Sequence, residues 1–217
     1  MFKNARFIML LIILMLIVAI VSYLLFLKFM PSSNGWIKPK DESIGSVLNG
    51  SNNVKYFYNK PIRKPLIVRI KIIKSKRAFE LFGNGGLIGR FKIGLGYESS
   101  GDKAKEGDGK TPDGKFYICT RIKSQYKYFM GISYPNKEDS KRGLEEGLIS
   151  QAEYEKINTS IDAKQKPLWD TQLGGAIGLH GTDDSSDWTA GCIALSEEGI
   201  DAVWSYAEVG TPVEIVE

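Results

Sequence analysis

Hydrophobic residues fall along this chain in three regimes. Phe7 to Leu27 is a run of 21 uncharged residues, mostly Leu, Ile, Met and Val. As a helix it is long enough to cross a bilayer core of about 30 Å at about 1.5 Å per residue. Lys3 and Arg6 precede it and Lys28 closes it, and no small-x-small cleavage site follows. The run therefore reads as a retained anchor, with residues 1–6 as a cytoplasmic tail. Across 28–64 the apolar character is lost to Ser, Asn, Gly and Lys, which predicts a linker or stalk. Within it, Val54–Tyr58 has the pattern of a short strand.

From residue 65 to 217 the pattern is that of one folded domain. Leu66–Ile72 alternates as a half-buried strand, and Arg77–Phe82 leads into the turn Gly83-Asn84-Gly85-Gly86, followed by a strand over Leu87–Gly96. A glycine-rich loop over Glu106–Gly114 opens into the strand Lys115–Thr120. Residues 139–166 are polar and helix-prone, and Ser150 with Glu153 forms a capping box opening a helix through Ile157. A glycine-rich strand is predicted over Leu173–Leu179. Near the end, Glu197 and Glu198 favour a helix start whose apolar face is Ile200, Val203, Trp204 and Ala207. Gly210 and Pro212 stop it, and Val213–Val216 makes a last strand. Short strands joined by glycine turns predict a mainly β (α+β) antiparallel fold with an inserted helical pair.

Composition narrows the function without naming it. The chain is 43% hydrophobic and 25% charged, which is globular, and its net charge of +4 is spread without a basic stripe, so nucleic-acid binding is not indicated. Two cysteines and one histidine provide poorly for a metal, and none is expected. The placement of those residues is informative. His180 is the only histidine, and Cys192 follows twelve residues later in the turn Thr189-Ala190-Gly191-Cys192. A thiol is a nucleophile as thiolate, and a neighbouring imidazole can take its proton. A buried cysteine and a hydrogen-bonded histidine at a strand end remain the alternative from spacing alone.

The stretch from Ile67 to Val216 resembles an L,D-transpeptidase catalytic domain of the YkuD type, the peptidoglycan-processing cysteine enzymes. The resemblance rests on His180-Gly181, then Thr189, Gly191, Cys192, Ile193 and Leu195, with Glu106-Gly107-Asp108 and Thr111-Pro112-Asp113-Gly114 upstream. Two positions depart from the family pattern: Ala190 stands where a second histidine is usual, and Ala194 where an arginine is usual. The loop between His180 and Thr189 is also short. These departures bear on how substrate is gripped and on which acyl acceptor is used.

The resemblance implies an L,D-transpeptidase-type β-sandwich and acyl transfer on peptidoglycan stem peptides through a Cys192 thioester, with no cofactor. His180 is the implied base, its tautomer fixed by a backbone carbonyl near Gly181 or Thr182. Backbone N–H groups around Ala190, Gly191 and Cys192 are the implied oxyanion donors. Thr189 supports the turn, and Asp183, Asp184, Asp187 and Trp188 are candidate substrate contacts or plain turn residues. Tyr126 and Tyr128 either face substrate or pack in the sheet. The acceptor is a second stem, an amine of a wall-attached protein, or water, the last giving an L,D-carboxypeptidase or amidase. The expected location is the cell membrane, single-pass, with the domain outside the cytoplasm. A rival of another class is a non-catalytic peptidoglycan-binding module closed by a Cys119–Cys192 disulfide.

Overall fold

A computed structural model describes residues 54–217. The expected tail, the anchor over 7–27 and most of the stalk lie outside the described residues. Among those described, no helix is long and apolar enough to cross a membrane.

Nine strands form the body: β1 (Phe57–Tyr58), β2 (Val68–Ile73), β3 (Ala78–Gly83), β4 (Gly86–Gly94), β5 (Gly114–Ser124), β6 (Lys127–Ile132), β7 (Gly178–Gly181), β8 (Ile193–Leu195) and β9 (Pro212–Val216). Two sheets, β1-β4-β3-β2-β9-β5 and β5-β6-β7-β8-β4, share β4 and β5. Gly114–Tyr117 pair with β9, whereas Ile118–Ser124 pair with β6. Likewise β4 runs along β3 and then pairs with β8 at Ile93 and Gly94. The circuit of pairing is therefore closed, with β1 added outside on β4 at Arg90 and Gly89. Phe57 and Tyr58 thus belong to the sheet although the sequence places them in the stalk. Burial of Phe91 beneath Tyr58 (ring centroids 5.7 Å apart) and the Tyr58–Tyr206 hydroxyl contact hold them there.

The antiparallel expectation holds for most pairs but not for β2–β9 and β7–β8, which are parallel. The core between the sheets is Ile70, Ile72, Phe79, Leu81, Ile93, Leu95, Ile118, Met130, Ile132, Leu179 and Ile193. Alternation of these with Arg69, Lys71 and Glu80 is the period-2 pattern that one buried face demands. The β3–β4 hairpin turns at Asn84 (φ 49°) and Gly85 (φ 85°), the left-handed pair that matches strand twist. Asn84 Oδ1 also accepts the N–H groups of Leu66 and Ile67, so β2 begins two residues later than the alternation suggested.

The described residues also form three α-helices. The insertion comprises α1 (Lys137–Glu145) and α2 (Gln151–Asp162). Both start with reciprocal capping boxes, Asn136 with Asp139 and Ser150 with Glu153. They enclose a small second core of Ile149, Ile157 and Leu173. The third, α3 (Glu197–Tyr206), is capped by the Ser196 hydroxyl and buries Ile200 and Val203 against β6, β7 and β8. The strand predicted over Leu173–Leu179 shrinks to β7. Gly174 (φ 81°) and Ala176 (φ 53°) are left-handed and break the extended backbone ahead of it.

Candidate active site

His180 lies in β7 opposite Ala194 of β8, and Leu179 lies opposite Ile193. Cys192 immediately precedes β8, two positions before Ala194, so strand alternation puts it on the same face as His180, diagonally displaced. The parallel pairing brings this about. The chain leaves β7, runs back through residues 182–192, and enters β8 in the same direction.

The imidazole is buried, with 5% of its surface exposed, and its Nδ1 lies 3.1 Å from the Gly181 carbonyl. A carbonyl can only accept, so Nδ1 carries the proton and Nε2 holds the lone pair. Burial lowers the affinity of His180 for a second proton, and the Gly181 carbonyl partly opposes that. The ring is flanked by Tyr126 (centroids 5.0 Å apart) and Trp188 (5.6 Å). Tyr128 instead stacks on Trp204 of α3, 4.2 Å away, and is a packing residue.

Cys192 is half-buried. Burial raises its pKa, while the Gly178 backbone N–H and the Lys103 ammonium act the other way. Its Sγ donates to the Ala176 carbonyl at 3.6 Å. Among the described residues no hydrogen bond joins Sγ to His180. Cys119 and Cys192 are both free thiols, so the disulfide of the non-catalytic alternative is not formed. Cys119 sits in β5, its pKa pushed up to about 12 chiefly by burial.

Thr189 shapes the nucleophile turn. Its Oγ1 donates to the Cys192 carbonyl at 2.7 Å and accepts the Gly191 N–H at 3.1 Å. The Gly191 N–H is therefore occupied, which leaves those of Ala190 and Cys192 as oxyanion donors at this turn. Gly191 is irreplaceable on two counts: its φ is 134°, and a Cβ there would lie 2.6 Å from the Lys110 carbonyl oxygen. Thr189 also bridges to Gly96, with Thr189 N–H to Leu95 O and Tyr97 N–H to Thr189 O. Thr189→Val, which keeps the shape but removes the hydroxyl, is expected to cost about 1–3 kcal/mol because a buried N–H loses its acceptor. Urea denaturation measures it.

The loop after His180 divides by role. Thr182 N–H donates to Leu195 O, and its hydroxyl accepts the Asp184 N–H. Asp184 accepts the Ser186 N–H, and Asp183 is exposed. Asp187 is a candidate substrate contact by sequence, but both its carboxylate oxygens are engaged by Arg77, and one also accepts the Leu95 N–H. It ties the loop to Arg77, just ahead of β3, and to Leu95, just past β4. Trp188 stays 38% exposed beside the imidazole.

Behind the turn lies a group that sequence reading did not single out. Lys103, its side chain 2% exposed, donates to Asp108 Oδ1 at 2.7 Å and to the Lys105 carbonyl. Asp108 also accepts the N–H groups of Ala104, Lys105 and Lys110. The next carbonyls of that loop press on Gly96 and Gly191. A lone lysine in a polar stretch carries no sequence signal of burial. Among the described residues, no cluster of three or more metal-ligating side chains is present.

A family model for the YkuD L,D-transpeptidase catalytic domain matches residues 67–215. No curated protein matches the chain. Similar solved structures include the helical cell shape determining protein Pgp2 of Campylobacter jejuni, at 21% identity, TM-score 0.48, covering 75% of this chain and 49% of that one. Bd1075 of Bdellovibrio bacteriovorus follows at 17% identity and TM-score 0.45, covering 73% and 50%. An L,D-transpeptidase of Mycobacterium smegmatis shows 11% identity and TM-score 0.42, covering 69% and 58%. The chain spans about half the length of the first two. With the family model matching well over half of its residues, this chain belongs to the YkuD family of L,D-transpeptidase catalytic domains.

Proposed function

We propose that the protein is a membrane-anchored, extracytoplasmic acyltransferase of peptidoglycan stem peptides, working through a thioester on Cys192. The observation that carries this reading is a buried histidine on β7 and a cysteine at the entry to the adjoining parallel strand β8, with the histidine's Nε2 left as the base by the Gly181 carbonyl. In the first half-reaction Cys192 Sγ adds to a stem carbonyl and its proton passes to His180 Nε2. The tetrahedral oxyanion is received by the N–H groups of Ala190 and Cys192. Collapse expels the terminal residue as an amine, which takes the proton from Nε2, and leaves the thioester. In the second half-reaction an acceptor gives its proton to Nε2 and attacks the thioester, restoring the thiol. The acceptor is an amine of a second stem or of a wall protein; water would make the enzyme a trimming hydrolase.

Incubating the detergent-solubilised full chain with muropeptides and following both by mass spectrometry tests this. An acyl adduct confined to Cys192 is expected, and the products separate crosslinking, trimming and release of protein. Intact stems with no adduct would refute the reading. Because burial depresses His180 and the base must be neutral, the acid limb of kcat/KM should have its midpoint below the ordinary 6.5. A midpoint above 6.5 in the pH–rate profile would contradict the assignment.

A further inference from the structure

The sulfur of Cys192 is bonded to the wrong partner for attack. A carbonyl oxygen accepts a hydrogen bond from S–H but repels S⁻, so the Ala176 contact favours the uncharged form. Ala176 is moreover held in the left-handed region at φ 53°, which alanine enters only at a cost. Its own side chain is exposed and does not explain this. The surroundings do. Gly174 is pressed against Glu106, Gly175 against the Trp169 backbone, and the Ile177 carbonyl is fixed by the Ile132 N–H. The Gly178 N–H opposes the Ala176 contact and favours the thiolate. The charged group that acts on the thiol is Lys103 from the 101–110 loop, which is paired with Asp108, and His180 lies on the neighbouring β7.

We propose that Ala176 is a positioning residue whose strained backbone aims its carbonyl at Cys192 and keeps the resting thiol protonated, so that activation requires the sulfur to leave it for the imidazole. This rests on the acyltransferase reading for its purpose, but the lock itself is a property of the free protein.

The test is the rate of iodoacetamide alkylation of Cys192 against pH, on the full chain in a Cys119→Ala background, without peptidoglycan. Ala176→Val and Ala176→Asn are similar in bulk, but β-branched valine is excluded from the left-handed region that asparagine tolerates. Losing one hydrogen bond to the neutral form corresponds to about a fivefold rise in rate at pH 7 for the valine variant, with the curve moving to lower pH. Asparagine should stay within about twofold of the parent. Should valine disturb folding, the parent protein itself gives the reading: the Raman S–H stretch of its single remaining thiol should be present at pH 7 and lie at the lowered frequency of a hydrogen-bonded S–H, and Ala176→Gly, which enters the left-handed region without cost, should leave it there. An unchanged rate in the valine variant, an equal rise with asparagine, or an S–H stretch at the frequency of a free thiol would overturn the proposal. Failure of acyl transfer with an intact alkylation pattern would instead strike only at the proposed function.

Discussion

Cys192→Ala is expected to leave the protein folded while lowering acyl transfer by at least about 10⁴-fold, the scale on which removal of a covalent nucleophile acts. The two halves of that expectation have separate origins. Chemically, no other thiol can substitute, since Cys119 lies in β5 with its pKa held at about 12. Energetically, the side chain is half-buried and makes one long hydrogen bond, so its loss should cost about 1 kcal/mol or less. Turnover of muropeptides and thermal denaturation on the same preparation separate the two. Residual activity within tenfold of the parent would dispose of the thioester route.

Lys103→Met should be strongly destabilising, by about 3 kcal/mol, because it leaves the largely buried Asp108 carboxylate without its counter-ion. Asp108 would keep three backbone N–H donors but lose the ammonium that neutralises it. The loop it organises backs Gly191, so turnover should fall together with stability. The pair also has a pH signature. Burial alone would raise the Asp108 carboxyl, but Lys103 and the backbone donors bring it below its ordinary 3.8. A carboxyl depressed in the folded state stabilises fully above its unfolded value and loses that contribution as pH falls through the folded one. The parent should therefore lose stability below about pH 4, and Asp108→Asn should flatten that limb. Chemical denaturation at stepped pH reads both effects; a Lys103→Met variant as stable as the parent would show that the pair contributes little.

What could be read in advance was what local chemistry determines. The Asn84–Gly85 turn, the Ser150–Glu153 cap and the apolar face of α3 each follow from residues within a few positions of one another. Strand direction does not. Nothing within Ile193–Leu195 says that it lies parallel to β7, because that depends on how the loop over 182–192 returns along Gly96. The overlong prediction before β7 failed for a related reason. At Gly174 an added Cβ would meet the Glu106 carboxylate, which comes from the loop before β5 and is distant in sequence. At the site, the order His180-Gly181 … Gly191-Cys192 was legible, yet the role of Asp187 was not, since Arg77 lies 110 residues away. The Asn136–Asp139 cap was missed because the acidic partner is an aspartate rather than the usual glutamate or glutamine.

The two-residue strand at the start of the body has a practical bearing on how this domain is handled. A fragment cut at residue 65 would lack Phe57 and Tyr58, uncovering the backbone groups of Gly89 and Arg90 together with the ring of Phe91. Among the described residues β2 to β9 close a circuit of pairing, so the uncovered stretch of β4 would offer its unpaired groups to a second molecule. Truncations intended for expression should begin upstream of Val54, and those that do not should self-associate with rising concentration.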